Sequence, residues 1–147
     1  MRKRHLLATV TMTLLAGIAY AGLIQPAPVV IDFDNFTAFG DQWTARTADD
    51  DTSFIGCGTR NIDDGMGFSF RFGFCQAGDA DGNTVTCFTE NPSLLDEMRA
   101  NNSYAFVTFS WDDDGAGNLT CNRVGFSTQS FYLPDPSADD DDDSDSD

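Results

Sequence analysis

Residues 67–75 read Gly67-Phe68-Ser69-Phe70-Arg71-Phe72-Gly73-Phe74-Cys75. Four phenylalanines alternate with small or polar residues, a period of two, which is the signature of a β-strand with two unlike faces. The expectation is that the four rings face a core and that Ser69, Arg71 and their neighbours face solvent. The same chemistry recurs on either side. Val29-Val30-Ile31-Asp32-Phe33 is a β-branched and aromatic run, and Tyr104 to Trp111 (YAFVTFSW) is more uniformly apolar, as in a strand covered on both faces. Val124 to Leu133 (VGFSTQSFYL) offers one long final strand or two short ones. Glycine and aspartate cluster between these runs, which is the chemistry of turns.

One hairpin can be placed residue by residue. In FCQAGDADGNTVTCF (74–88), a three-residue loop of Ala80-Asp81-Gly82 puts Gly82 where a left-handed backbone is needed. Counting outward pairs 79 with 83, 77 with 85 and Cys75 with Cys87. Cysteines directly opposite each other can be bridged if their pair lacks ladder hydrogen bonds. The expected disulfides are therefore Cys75–Cys87 and, by elimination, Cys57–Cys121. Zinc is disfavoured for these four thiols, because spacings of 17, 11 and 33 intervening residues contain no metal knuckle.

A helix is expected from Pro92 to Ala100. Asn91 caps it, Pro92 suits the first helical position, and Leu94, Leu95 and Met98 form the apolar face. Asn101 and Asn102 are suited to a left-handed exit. The fold class is mainly β: an antiparallel, jelly-roll-like β-sandwich with one short helix, two disulfides and a disordered acidic C-terminal tail.

The ends of the chain read differently. Arg2, Lys3, Arg4 and His5 precede an uncharged apolar stretch from Leu6 to Ala19, and Ala19-Tyr20-Ala21 is a signal-peptidase site. Residues 1–21 are read as a signal peptide, 22–28 as a lead-in, 29–133 as the disulfide-stapled β domain and 134–147 as the Asp-rich tail. Localisation is then periplasmic or extracellular, with no stable membrane anchor after cleavage. Beyond residue 21 five arginines face 24 acids, a net charge of −19, and 22 of the acids are aspartate. Such a surface repels nucleic acid and anionic lipid, and it suits a chain that works in salty water, where repulsion is screened.

Absences narrow the chemistry. The only histidine and the only lysine are His5 and Lys3, so the domain has no imidazole base, no Ser–His or Cys–His catalysis and no lysine Schiff base. Carboxylates remain. Asp32 and Asp34, which share a strand face, or Asp112 to Asp114 are the candidate acids for a polysaccharide hydrolase, against the plainer reading of Asp32 and Asp34 as a solvated strand face or turn ligands. Calcium is the candidate cofactor for the aspartate loops, with Asp79, Asp81, Asn83, Asp112 and Asp114 as ligands. The loop at Asp79 is not an EF-hand, because positions one and twelve would be Ala77 and Phe88.

Val30-Ile31-Asp32-Phe33-Asp34-Asn35-Phe36, followed by Gly40, Trp43 and Arg46 in a G-x-x-W-x-x-R pattern, resembles the start of many jelly-roll carbohydrate-binding modules. The resemblance implies a sandwich fold and a sugar ligand. Trp43 stands in a polar stretch (GDQWTAR) and, with Arg46, is the candidate ligand contact. Tyr104, Trp111 and Tyr132 are further aromatic candidates. The function expected is a non-catalytic binding protein for a glycan, a surface polymer or a protein partner. The alternatives are the carboxylate hydrolase and an acidic structural protein with no specific ligand.

Overall fold

A computed structural model describes residues 22–134. The leader at 1–21 and the tail beyond Pro134 lie outside the described residues. Seven strands form in chain order: β1 (Val30–Asp32), β2 (Thr37–Asp41), β3 (Phe54–Asp63), β4 (Ser69–Gly78), β5 (Thr84–Thr89), β6 (Phe106–Asp113) and β7 (Leu119–Ser127). Helix α1 (Gln42–Arg46) follows β2, and α2 (Pro92–Arg99) joins β5 to β6. A 3-10 turn, Ser130–Tyr132, stands where a last strand was expected.

All seven strands belong to one mixed sheet, ordered β1-β2-β6-β7-β5-β4-β3. Its neighbours are antiparallel except β5 and β7, which run parallel and share a single residue pair, Phe88 with Thr120. The sheet coils strongly. Edge strand β3 packs against β2 and β6, and β4 against β1, although no ladder joins them. Twist accumulated over seven strands brings the two ends of the sheet around one interior.

The hairpins form as their turn chemistry dictates. At the β4–β5 tip the Gly82 amide donates to Asp79 O at 3.0 Å and the Asp79 amide to Asn83 O at 3.0 Å, with Gly82 at φ 80°. This is the expected loop with the expected register, including Cys75 opposite Cys87. The β3–β4 and β6–β7 tips share another turn, Asp-Asp-Gly-x-Gly, at 63–67 and 113–117. Both glycines of each turn have positive φ, which residues with a Cβ rarely adopt.

The disulfides differ from expectation: they are Cys57–Cys75 and Cys87–Cys121. The register was right and its phase decided otherwise. Hydrogen-bonded and non-bonded pairs alternate along an antiparallel ladder. Counting in twos from the bonded pair 79/83 makes 75/87 a bonded, more widely spaced pair. Counting from the other tip, where the Asp64 amide donates to Phe68 O, makes 57/75 a non-bonded pair. Cys57 and Cys75 are accordingly only 4.0 Å apart at Cα, and the bridge forms there. Cys87 is left for Cys121, and this bridge crosses the parallel Phe88–Thr120 contact diagonally, from the residue before Phe88 to the residue after Thr120.

The face assignment of β4 is also corrected. Gly73, Cys75 and Ala77 are buried, together with Val85 and Cys87 of β5 and Val107, Phe109 and Trp111 of β6. The phenylalanines point the other way: Phe68 is 61% exposed and Phe70, Phe72 and Phe74 are half-buried on the outer face. Small residues face inward because α2 lies there. A Cβ on Gly73 would collide with Met98 Sδ and come within 2.8 Å of Leu95 Cδ2. Rings on that face would leave the helix no room.

Helix α2 itself is close to expectation. Asn91 accepts from the Ser93 amide at 3.0 Å, Pro92 opens the helix, and Leu95 and Met98 are buried. Its exit is not left-handed, since Ala100 has φ −77°. The positive φ of this region falls instead on Tyr104, at 63°. A bulge opposite Ser110 and Trp111 shifts the alternation of β7, so that Cys121 and Val124 both point inward.

Candidate functional site

Trp43 and Arg46 do not lie on a strand. They occupy one turn of the short helix α1, whose start is fixed by Asp41. That carboxylate is 1% exposed and accepts from the Thr44 amide at 2.7 Å, the Thr44 hydroxyl at 2.5 Å and the Ala27 amide at 2.6 Å. It therefore caps α1 and anchors the lead-in with the same side chain. Gln42 then ties α1 to the start of β6: its amide donates to Ala105 O at 3.1 Å, and its Oε1 accepts from the Ala105 amide at 3.2 Å. These bonds bring Trp43 against Tyr104, edge to face, with ring centroids 5.8 Å apart.

The result is an open groove of about 510 Å³ whose walls include Gln42, Trp43, Arg46, Asn101, Asn102 and Tyr104. Trp43 is half-buried, Tyr104 is 42% exposed, and Arg46 is exposed. Among the described residues the one ion pair is Arg99–Asp96 at 3.1 Å, so no described carboxylate pairs with the Arg46 guanidinium. Beside it Asn101 Oδ1 is buried and accepts no hydrogen bond from the described residues. On its other side Trp43 borders a second hollow, of about 620 Å³, shared with Pro26, Pro28, Tyr132 and Asp50. An indole between two grooves, flanked by amides and an exposed guanidinium, can stack on a flat apolar ring while its neighbours bond to hydroxyl groups.

The other aromatic candidates separate. Trp111 is 2% exposed and belongs to the core, in contact with Phe33, Phe36 and Phe109. Tyr132 stacks on Phe106 at 5.2 Å and lines the larger hollow. Gln42 and Asn101 carry no signal in the sequence. Their place in the groove follows from a contact between residues some 60 positions apart.

The aspartates have a plain structural use. Asp32 accepts from the amide and side chain of Asn35 at 3.0 and 2.7 Å and so closes the β1–β2 turn, while Asp34 lies within that turn. Asp79 accepts from the amides of Asp81 and Asn83 and from Asn83 Nδ2, with all three within 3.1 Å. Asp114 holds Ala116 and Asn118 in the same way, and Asp64 holds Met66 and Phe68. Asp112 accepts from Asn122 Nδ2 at 2.8 Å. Among the described residues no three His, Cys, Asp or Glu side chains converge as metal ligands would. This geometry explains the preference for aspartate over glutamate. A carboxylate one carbon from the backbone reaches amides two to four residues ahead, and one with a further methylene overshoots.

These hydrogen bonds set a pH dependence. The carboxyls of Asp32 and Asp114 are held below the ordinary 3.8, first by the side chains of Asn35 and Asn118. Asp50 is held below it first by the Ser53 amide. A folded pKa below the unfolded one adds stability that is complete above pH 3.8 and is lost as pH falls through the lowered values. Neutralising the large negative charge acts in the opposite direction, so the effect is best read in about 1 M salt, where the screening length is about 3 Å. There the melting temperature is expected to be level from about pH 5 upward and to fall below 3.8. The triple variant Asp32→Asn, Asp50→Asn, Asp114→Asn flattens that fall, and an equal fall in the variant refutes the assignment.

No protein family, curated protein or solved structure matches the chain. Function must therefore be argued from the groove itself. No described helix is long and apolar enough to cross a membrane, and both disulfides fit an oxidising compartment.

Proposed function

We propose that this is an exported, non-catalytic binding protein, acting in the periplasm or outside the cell, whose ligand is a glycan or glycan-like surface polymer held at the Trp43 groove. The observation that carries the reading is the Trp43–Tyr104 pair, which is anchored by Gln42 and the buried Asp41 and leaves one flank of the indole open beside Arg46. A rigid aromatic ridge loses little entropy on binding, and the groove falls within the size range of small-ligand sites. The coiled sheet around one interior is compatible with the jelly-roll-like sandwich suggested by the resemblance at Val30–Arg46. In this reading the leader directs export, and the acidic tail keeps the protein soluble.

The test is a panel of neutral and acidic polysaccharides, with calorimetry on whatever binds. Trp43→Ala is expected to weaken the bound glycan at least about tenfold, as loss of a central aromatic anchor does, and Arg46→Gln to weaken it less. Trp111→Phe, in the core, should leave binding unchanged. A glycan held equally by wild type and Trp43→Ala refutes the site, and a panel without any binder refutes the function.

A further inference from the structure

The phenylalanines of β4, turned outward by the packing of α2, form one side of an unexplained pocket. Cross-strand register places Gly58, Phe74, Phe88, Thr120 and Asp112 in one row across β3, β4, β5, β7 and β6. The next row contains Arg60 and Phe72, and the one beyond it Ile62 and Phe70. On the β5 side of Phe72 a hollow of about 490 Å³ opens, lined by Phe70, Phe72, Phe88, Thr89, Glu90 and Thr120. Phe70 stacks on Phe72 at 5.7 Å, and Phe72 meets Phe88 at 6.2 Å with a 51° tilt, so the rings present both faces and edges to the space.

Three observations indicate what fits. The ring row already carries a cation at one end: the Arg60 guanidinium carbon lies 4.9 Å from the centroid of Phe74. At the other end the charged groups are carboxylates, Glu90 in the pocket wall and Asp112 beside Thr120, which excludes anions. The chain as a whole, with a net charge of −16, raises the local concentration of cations. A bare ammonium would surrender strong hydration to enter an apolar, aromatic hollow. A methylated one is weakly hydrated, fills more of the space, and is attracted by ring faces and carboxylate together. The volume suits a small soluble molecule. A second copy of the chain is disfavoured by like-charge repulsion.

We propose that this pocket is a second binding site, for a small quaternary ammonium compound, with Phe70, Phe72 and Phe88 as the cage and Glu90 as its counter-charge. It is independent of the Trp43 groove.

Choline chloride and its uncharged isostere 3,3-dimethylbutan-1-ol are titrated into the oxidised protein at fixed ionic strength, with aromatic side-chain NMR shifts as the readout. Choline is expected to shift Phe70, Phe72 and Phe88 but not Trp43, and to bind at least about tenfold more tightly than the alcohol. Glu90→Gln, an exposed and conservative change, should weaken choline several-fold and leave the alcohol unaffected, with melting curves to confirm the fold. Phe72→Leu should weaken choline about tenfold. Equal affinity for the two probes would make the pocket merely apolar and overturn the proposal. So would the absence of any shift with choline at roughly 50 mM, a concentration that detects even weak binding. Two further outcomes also overturn it: capture by phosphatidylcholine vesicles with no response to choline, which assigns the face to a lipid surface, and a dimer in solution that buries the rings.

Discussion

Replacing Cys87 and Cys121 together by serine is expected to cost about 4 kcal/mol, a large share of the stability of a domain this size. The bridge closes a separation of 34 residues, and its position matters more than its length. Strands β5 and β7 share one residue pair, Phe88 with Thr120, so the hydrogen-bonded sheet is thinnest where this disulfide crosses it. Cys57–Cys75 lies inside a ladder of ten consecutive pairs. Its separation of 18 gives an entropic value of about 3 kcal/mol, but the intact hairpin already restricts those residues, so the Cys57→Ser, Cys75→Ser variant should lose less. Urea denaturation of both double variants provides the comparison, and peptide mapping checks the pairing. A cross-linked peptide joining Cys75 to Cys87, or a larger loss from the Cys57/Cys75 pair, contradicts this account.

The second large effect is expected at Asp41. Alanine there removes one carboxylate that serves three donors, leaving the Ala27 and Thr44 amides without it in a nearly buried site. The cost should be about 3 kcal/mol, from a lost helix cap and unsatisfied backbone groups. Asp41→Asn keeps one acceptor oxygen and should lose about half as much. Asp49→Ala, at an exposed aspartate nearby, should change stability by less than about 0.5 kcal/mol. Because Asp41 positions α1, its loss should also displace Trp43, and glycan binding should weaken along with stability. If Asp41→Ala proves as harmless as Asp49→Ala, the buried carboxylate is not the anchor.

How much of the site could be read in advance depended on the range of the interaction. Trp43 and Arg46 stood out because a tryptophan in a polar stretch is a local anomaly. The turn aspartates were legible as turn chemistry for the same reason, since each acts within four residues of itself. Asp41 was lost among 22 aspartates, as its burial comes from Ala27 and Thr44 closing over it. The pocket at Phe72 and Phe88 could not be read at all, because it exists only once the β4 rings are known to face outward.

The sequence by itself determined what local physics determines: a chain built mainly of strands, the hairpin at Ala80–Gly82 with its register, the helix opened by Asn91 and Pro92, and four cysteines in two bridges. Tertiary structure alone decided which face of β4 lies inside, which cysteines join, and that seven strands share one coiled sheet. The reason is one of symmetry. Alternation separates two faces without marking the inner one, and register names opposite residues without fixing the hydrogen-bond phase. Only the packing of α2 on Gly73, and the meeting of two hairpins at Cys75, break those ties.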